Sequence, residues 1–196
     1  MRALLTLLAI AAIVAGVVVA VRVRAAARRP APEAPTDPLR REAPGGMDPR
    51  AISVGDVVAH GGRDFVVRGT LELEEGGFRW QEHFLDDVQV RRWLSVEDDE
   101  ELKLTLFERI DAPGLAPGAP RLEHGGATWT LTEHGSASYR AVGTTGTGPA
   151  GRVEYYDYAA GDRRLSFERF GEGDWEVAAG ETVPAASLDL YPSSAR

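Results

Sequence analysis

The chain has 196 residues, 22 Lys and Arg against 30 Asp and Glu, and no cysteine, so disulfides, thiolate metal sites and S-palmitoylation are excluded. Residues 1–50 carry eight Arg and four acids, which leaves a strongly acidic remainder that opposes contact with a phosphate backbone; no nucleic-acid partner is expected. An apolar share of 43%, with four Trp, five Tyr and six Phe, is enough to build a core.

Ala3 to Val21 is a run of 19 residues without charge or proline. As a helix it spans roughly 28 Å, the thickness of a bilayer's hydrocarbon region, so residues 1–24 are predicted to be one transmembrane helix with a basic flank, binding the lipid bilayer through residues 3–21. Arg22, Arg24, Arg28, Arg29, Arg40 and Arg41 follow the apolar run, against Arg2 before it. By the positive-inside rule the chain is expected to be a single-pass protein of the bacterial cell membrane with its C-terminal domain cytoplasmic. The alternative is an exported β domain with a cleaved leader, ending near Ala25–Ala27. Ala12, Gly16 and Ala20 form a small-residue stripe that would let a second copy approach, a homo-oligomer contact.

Residues 25–50 hold Pro30, Pro32, Pro35, Pro38, Pro44 and Pro49 among Ala and Arg, the composition of a linker. From residue 51 to 192 the pattern becomes short β-type runs: Asp64 to Leu73, Gly77 to Leu85, Arg92 to Glu97 and Leu102 to Ile110. Runs of this kind, punctuated by Gly, Asp and Pro, predict an all-β antiparallel sandwich or barrel. In Gly77 to Leu85, the side chains of Phe78, Trp80, Glu82 and Phe84 fall on one face and are expected to point to the core. The second half echoes the first. His60-Gly61-Gly62 matches His124-Gly125-Gly126, GFRWQEHFL from Gly77 matches GRVEYYDYA from Gly151, and RRWLSVE (91–97) matches RRLSFER (163–169). Two related β units, 52–112 and 121–183, are therefore expected, with a cleft between them as the default binding site.

Gly55 and Asp56, Val67 to Gly69, Trp80 with Glu82 and Leu85, and Trp93 to Glu97 form an ordered set of segments. In these the chain resembles the bacterial domain of unknown function 4178 family over residues 52–192. The resemblance implies no established reaction, catalytic residue or cofactor; it implies a link by context to membrane-stress systems.

Other motifs have plain readings. Gly146, Gly148 and Gly151 match a dinucleotide-binding spacing, but Pro149 and the strand-like RVEYYDY after it replace the required helix, so a loop is expected. His60, His83, His124 and His134 lack metal-ligand spacing, and no metal or cofactor is expected. Glu97 to Glu101 is a carboxylate block that reads as a solvated loop, with Ca²⁺ or an organic cation, polyamines included, as the alternative occupant. Glu82 lies between Trp80 and Phe84, where a carboxylate must find a partner or shift its pKa; a structural bond to a backbone amide or to Arg68 or Arg92 is the plainer expectation. Ser95 and Ser166 are repeat-equivalent and lack an adjacent base, so no catalytic residue is assigned.

The sequence thus predicts a membrane-anchored binding or scaffolding module with a protein partner at the membrane. The alternative is a small-ligand binder or enzyme with a cleft between the β units. Trp80, Glu82 and Trp93 are the candidate ligand-contacting residues in either case.

Overall fold

Pairs of glycines make the tightest reversals of the chain. Gly61–Gly62 and Gly125–Gly126 all hold positive φ, between 59° and 77°, the left-handed region that two-residue hairpin turns require and that side chains resist. They join β1 (Val57–His60) to β2 (Arg63–Glu75), and β6 (Arg121–His124) to β7 (Ala127–Gly143). The computed structural model describes residues 46–193. Within them lie also β3 (Phe78–Asp86), β4 (Arg91–Asp98), β5 (Leu102–Arg109), β8 (Ala150–Ala160), β9 (Arg163–Phe170), β10 (Glu176–Thr182) and β11 (Asp189–Tyr191). Single 3-10 turns at Pro49–Ala51 and Ala185–Ser187 complete the order. Among the described residues no helix is long and apolar enough to cross a membrane. The predicted anchor at 3–21, its Ala12, Gly16, Ala20 stripe and most of the linker lie outside the described residues.

All pairings are antiparallel, and they close on themselves. The ring runs β2-β3-β4-β5-β10-β9-β8-β7 and returns to β2, an eight-stranded barrel, with β1 and β11 added beside β2 and β6 beside β7. The fold is therefore the barrel rather than the sandwich. Each half supplies five strands in the same order, and the halves meet at two seams, β2 against β7 and β5 against β10. They share one closed wall in place of two units facing across a cleft. Across the first seam the Arg140 guanidinium donates to Glu72 at 3.1 and 2.6 Å.

Alternation along the strands decides what lies inside the ring. On β3, β4 and β5 one face carries Leu85, Leu94, Val96, Leu104 and Leu106, which pack with Ile52, Val58, Phe65, Leu188 and Leu190 in a dry cluster against the outside of the wall. On β8, β9 and β10, Tyr158, Leu165, Phe167 and Val177 pack with Trp129, Leu115 and Leu122 in a second outer cluster. A third, smaller cluster of Leu71, Leu73, Ala137, Tyr139 and Val153 lies with Trp80, Trp93 and Phe170 on the inward side. The face of β3 expected to point to the core, that of Phe78, Trp80, Glu82 and Phe84, is the less buried one: Phe78 is exposed and the other three are half-buried, whereas His83 and Leu85 on the opposite face are fully buried, because β1, β11 and the 3-10 turns cover the barrel there.

One extra residue in each long strand makes this possible. The register of β2 shifts between Val67 and Gly69, and that of β7 between Leu131 and Glu133. A bulge inverts the two-residue alternation. Phe65 and Val67 accordingly join the outer cluster while Leu71 and Leu73, also odd-numbered, join the inner one.

Candidate functional site

Inside the ring, toward the end bearing the turns 76–77, 99–101 and 161–162, the wall encloses a cavity of about 380 Å³. Eight-stranded barrels have interiors just wide enough for side chains or for one small ligand. Here neither half fills the space alone. β3, β4 and β5 contribute Trp80, Glu82, Trp93, Ser95, Glu97, Lys103, Thr105 and Phe107, and β8, β9 and β10 contribute Val153, Tyr155, Asp157, Arg164, Ser166, Glu168 and Ala178. Leu73, Trp80, Trp93 and Val153 belong both to the inner apolar cluster and to the cavity wall, so one side of the space is greasy. Trp80 stacks on Phe78 at 5.8 Å between ring centroids and meets Tyr155 edge-on at 6.1 Å.

The other side is acidic. Glu75, Glu82, Glu97, Asp99, Glu133, Asp157 and Glu168 line the cavity, with Lys103 and Arg164 as its basic side chains. Lys103 Nζ lies 2.8 Å from Glu97 Oε2. Arg164 spends its Nη1 donors on the carbonyls of Gly161 and Arg163, at 2.7 and 3.0 Å. Neither forms an ion pair with Glu82, Asp157 or Glu168, although Lys103 opposes the rise at Asp157 through space. Glu82 accepts a bond from Trp80 Nε1 at 3.3 Å, and burial pushes its carboxyl up to about 7, with the nearby Asp157 and Glu97 adding to the rise. Burial likewise lifts Asp157 to about 6, opposed by a hydrogen bond from Ser166. Glu168 is raised well above the usual range by burial and by Glu82 and Asp157. These side chains keep some accessible surface because a cavity lies in front of them, while protein surrounds them on the remaining sides. Glu75 behaves in the opposite way. The Tyr155 hydroxyl at 2.6 Å and the Ser136 amide at 2.9 Å hold its carboxyl below the usual range.

Trp80, Glu82 and Trp93, the three residues singled out in the sequence, all line this one cavity. The expected structural partners of Glu82 do not serve: Arg92 faces Glu108 at 3.4 Å, and the bond comes from Trp80 instead. The carboxylate block is divided. Glu97, the last residue but one of β4, lines the cavity, Asp98 pairs with Arg50 at 2.8 Å, and Asp99 lines the cavity from the following turn. Of the three glycines in GTGPAG, Gly146 and Gly148 lie in the connection between β7 and β8, while Gly151 lies inside β8. His83 is buried, bonded through Nδ1 to the Thr70 hydroxyl at 2.9 Å, and its Nε2 has no hydrogen-bond partner. Asp157, Tyr155 and Glu168 were missed by the sequence reading. The LSVE and LSFE match already aligned Glu97 with Glu168, but aligning Gly77 with Gly151 is one residue out of step. Strand pairing sets Trp80 opposite Glu97 and Tyr155 opposite Glu168, so Tyr155 is the counterpart of Trp80 and Asp157 that of Glu82.

In architecture the described residues form a closed antiparallel β-barrel of eight strands around a partly apolar, carboxylate-lined cavity. The chain itself is a member of the family described as Domain of unknown function (DUF4178), which matches residues 53–185. Uncharacterized proteins of Mycobacterium bovis and of two Mycobacterium tuberculosis strains are each 39% identical to it over 202 residues, covering 97% of this chain and 96% of the relative. No solved structure matches it.

Proposed function

We propose that the barrel is a binding module whose cavity takes a small organic cation. The observation that carries this reading is the composition of the cavity wall: seven carboxylates against two basic side chains, Lys103 paired with one of the seven, Glu97, and Arg164 bonded to backbone carbonyls, beside Trp80, Trp93 and Phe78. Carboxylates withdrawn from water are costly to ionise, and an ammonium placed among them offsets that cost. The aromatic faces add cation–π attraction and cover the hydrocarbon part of such a ligand. An anion would be repelled by the same wall. Among the described residues no three histidine or acidic side chains converge closely enough to hold a metal ion, so spaced charges favour an extended organic ligand over a point ion.

The test is calorimetric titration of the full-length chain, in detergent micelles at mildly alkaline pH, with simple alkylamines. Saturable binding is expected, weakened about tenfold or more in Glu82→Gln and in Asp157→Asn, as for loss of a partly buried ion pair. Saturation by a neutral or anionic solute, with amines inert, would sink the reading. Residues 3–21 support the further proposal that the module is tethered to the membrane with the barrel on the cytoplasmic side; the alignment to the mycobacterial relatives extends over 97% of the chain and so takes in most of that segment.

A further inference from the structure

Resting on that reading, we propose that the cavity is built for a ligand with two separated ammonium groups, a linear diamine or longer oligoamine, one nitrogen at Glu168 and the next between Glu82 and Asp157. The repeat supplies the argument. In the first half Trp80 is paired across the strands with Glu97, and Glu82 with Ser95. In the second half Tyr155 is paired with Glu168, and Asp157 with Ser166. The cavity therefore holds two copies of one arrangement, an aromatic ring opposite a glutamate and a carboxylate opposite a serine, facing each other across a shared space.

The copies differ at one decisive place. Glu97 is paired with Lys103, whose ammonium neutralises it at 2.8 Å. Glu168 is paired at the corresponding position with Glu176, which turns to Arg109 at 3.3 Å. The protein thus carries its own ammonium in one half and a like charge in the other. Glu168 is enclosed in the wall, faces the cavity, accepts no hydrogen bond and meets no cation among the described residues. A ligand nitrogen at Glu168 reproduces what Lys103 does for Glu97. Its methylene stem runs beside Trp80 and Tyr155 toward the central pair, Glu82 and Asp157. A metal ion cannot serve all of these groups together, since they do not converge.

The experiment compares α,ω-diaminoalkanes, from diaminopropane to diaminooctane, with the matching monoamines on the full-length chain. One chain length is expected to bind best, about tenfold more tightly than its monoamine, the gain of one further partly buried ion pair. Glu168→Gln should cut the diamine's affinity far more than the monoamine's and so close most of the gap between them. Glu176→Lys, which places an ammonium at the position where the other half has Lys103, should do the same. It also gives up the pair with Arg109, so a cooperative thermal unfolding transition in each variant confirms that it is folded. Monoamines binding as tightly as diamines, or both ligands weakening equally in the variants, would overturn the two-site proposal and leave the cation site standing. Failure of every amine would overturn the cation site as well.

Discussion

At Glu82 and His83 two neighbouring side chains of one strand meet opposite fates. Glu82 turns to the cavity, where burial keeps its proton on to about 7; His83 turns to the outer cluster, where burial lowers it to about 4 despite the nearby Asp56. The two act on stability with opposite signs. The unfolded chain protonates histidine near 6.5, before the folded chain does, so His83 withdraws stability as pH falls from 6.5 toward 4, on the order of 3 kcal/mol in all. The raised carboxyls lose stability as pH climbs through their folded values, and are fully compatible with folding below the ordinary carboxylate range. His83→Gln should therefore flatten the acid limb of the stability curve. Denaturant unfolding of parent and variant at several pH values checks this, and parallel curves below pH 6.5 would refute it. The identity of the cavity-lining Trp80 and Glu82 was legible in the sequence from strict alternation, whereas their true partners were not, because partners are fixed by pairing between distant strands.

For the elements, the bulges in β2 and β7 matter most. Alternation read from Asp64 to Leu73 shows apolar residues on both parities, which the sequence cannot resolve into two faces without knowing that Arg68 is an extra residue. Gly69 sits where the strand bends after it: a side-chain carbon there would collide with the Thr144 carbonyl at the seam. Gly69→Ala should cost about 1–3 kcal/mol through overpacking. The same substitution at Gly61, where no atom would be met, should cost only what its positive φ imposes. Chemical denaturation of the two variants compares them, and an unchanged midpoint for Gly69→Ala would show that the seam yields. The strands β2 to β5 were legible to within a residue or two, because Val, Leu, Trp and Phe between Gly and Asp clusters define them locally, whereas the full length of β7 and the short β1, β6 and β11 were not. The ring closure was not, since β2 with β7 and β5 with β10 join residues that local pattern does not relate.

On the scale of the whole molecule, the charge asymmetry of the chain yields a prediction of its own. On the proposed topology, with the basic residues after the apolar run held inside, a reporter fused at Arg196 is expected to read cytoplasmic. Activity of a reporter that works only outside the cytoplasm would reverse the topology. The barrel adds a division of labour that composition could not announce. Its two largest dry clusters lie on the outer surface of the wall, under β1, β11 and the segment from Ile110 to Leu122, while carboxylates and hydroxyls occupy the lumen. Much of the molecule's cohesion is thus sited away from the acidic side of the chamber. The carboxylates and hydroxyls there can change identity without loosening the outer clusters, so this architecture leaves evolution, or a protein engineer, free to redecorate that side of the interior for other guests, while Leu73, Trp80, Trp93 and Val153 stay tied to the inner cluster.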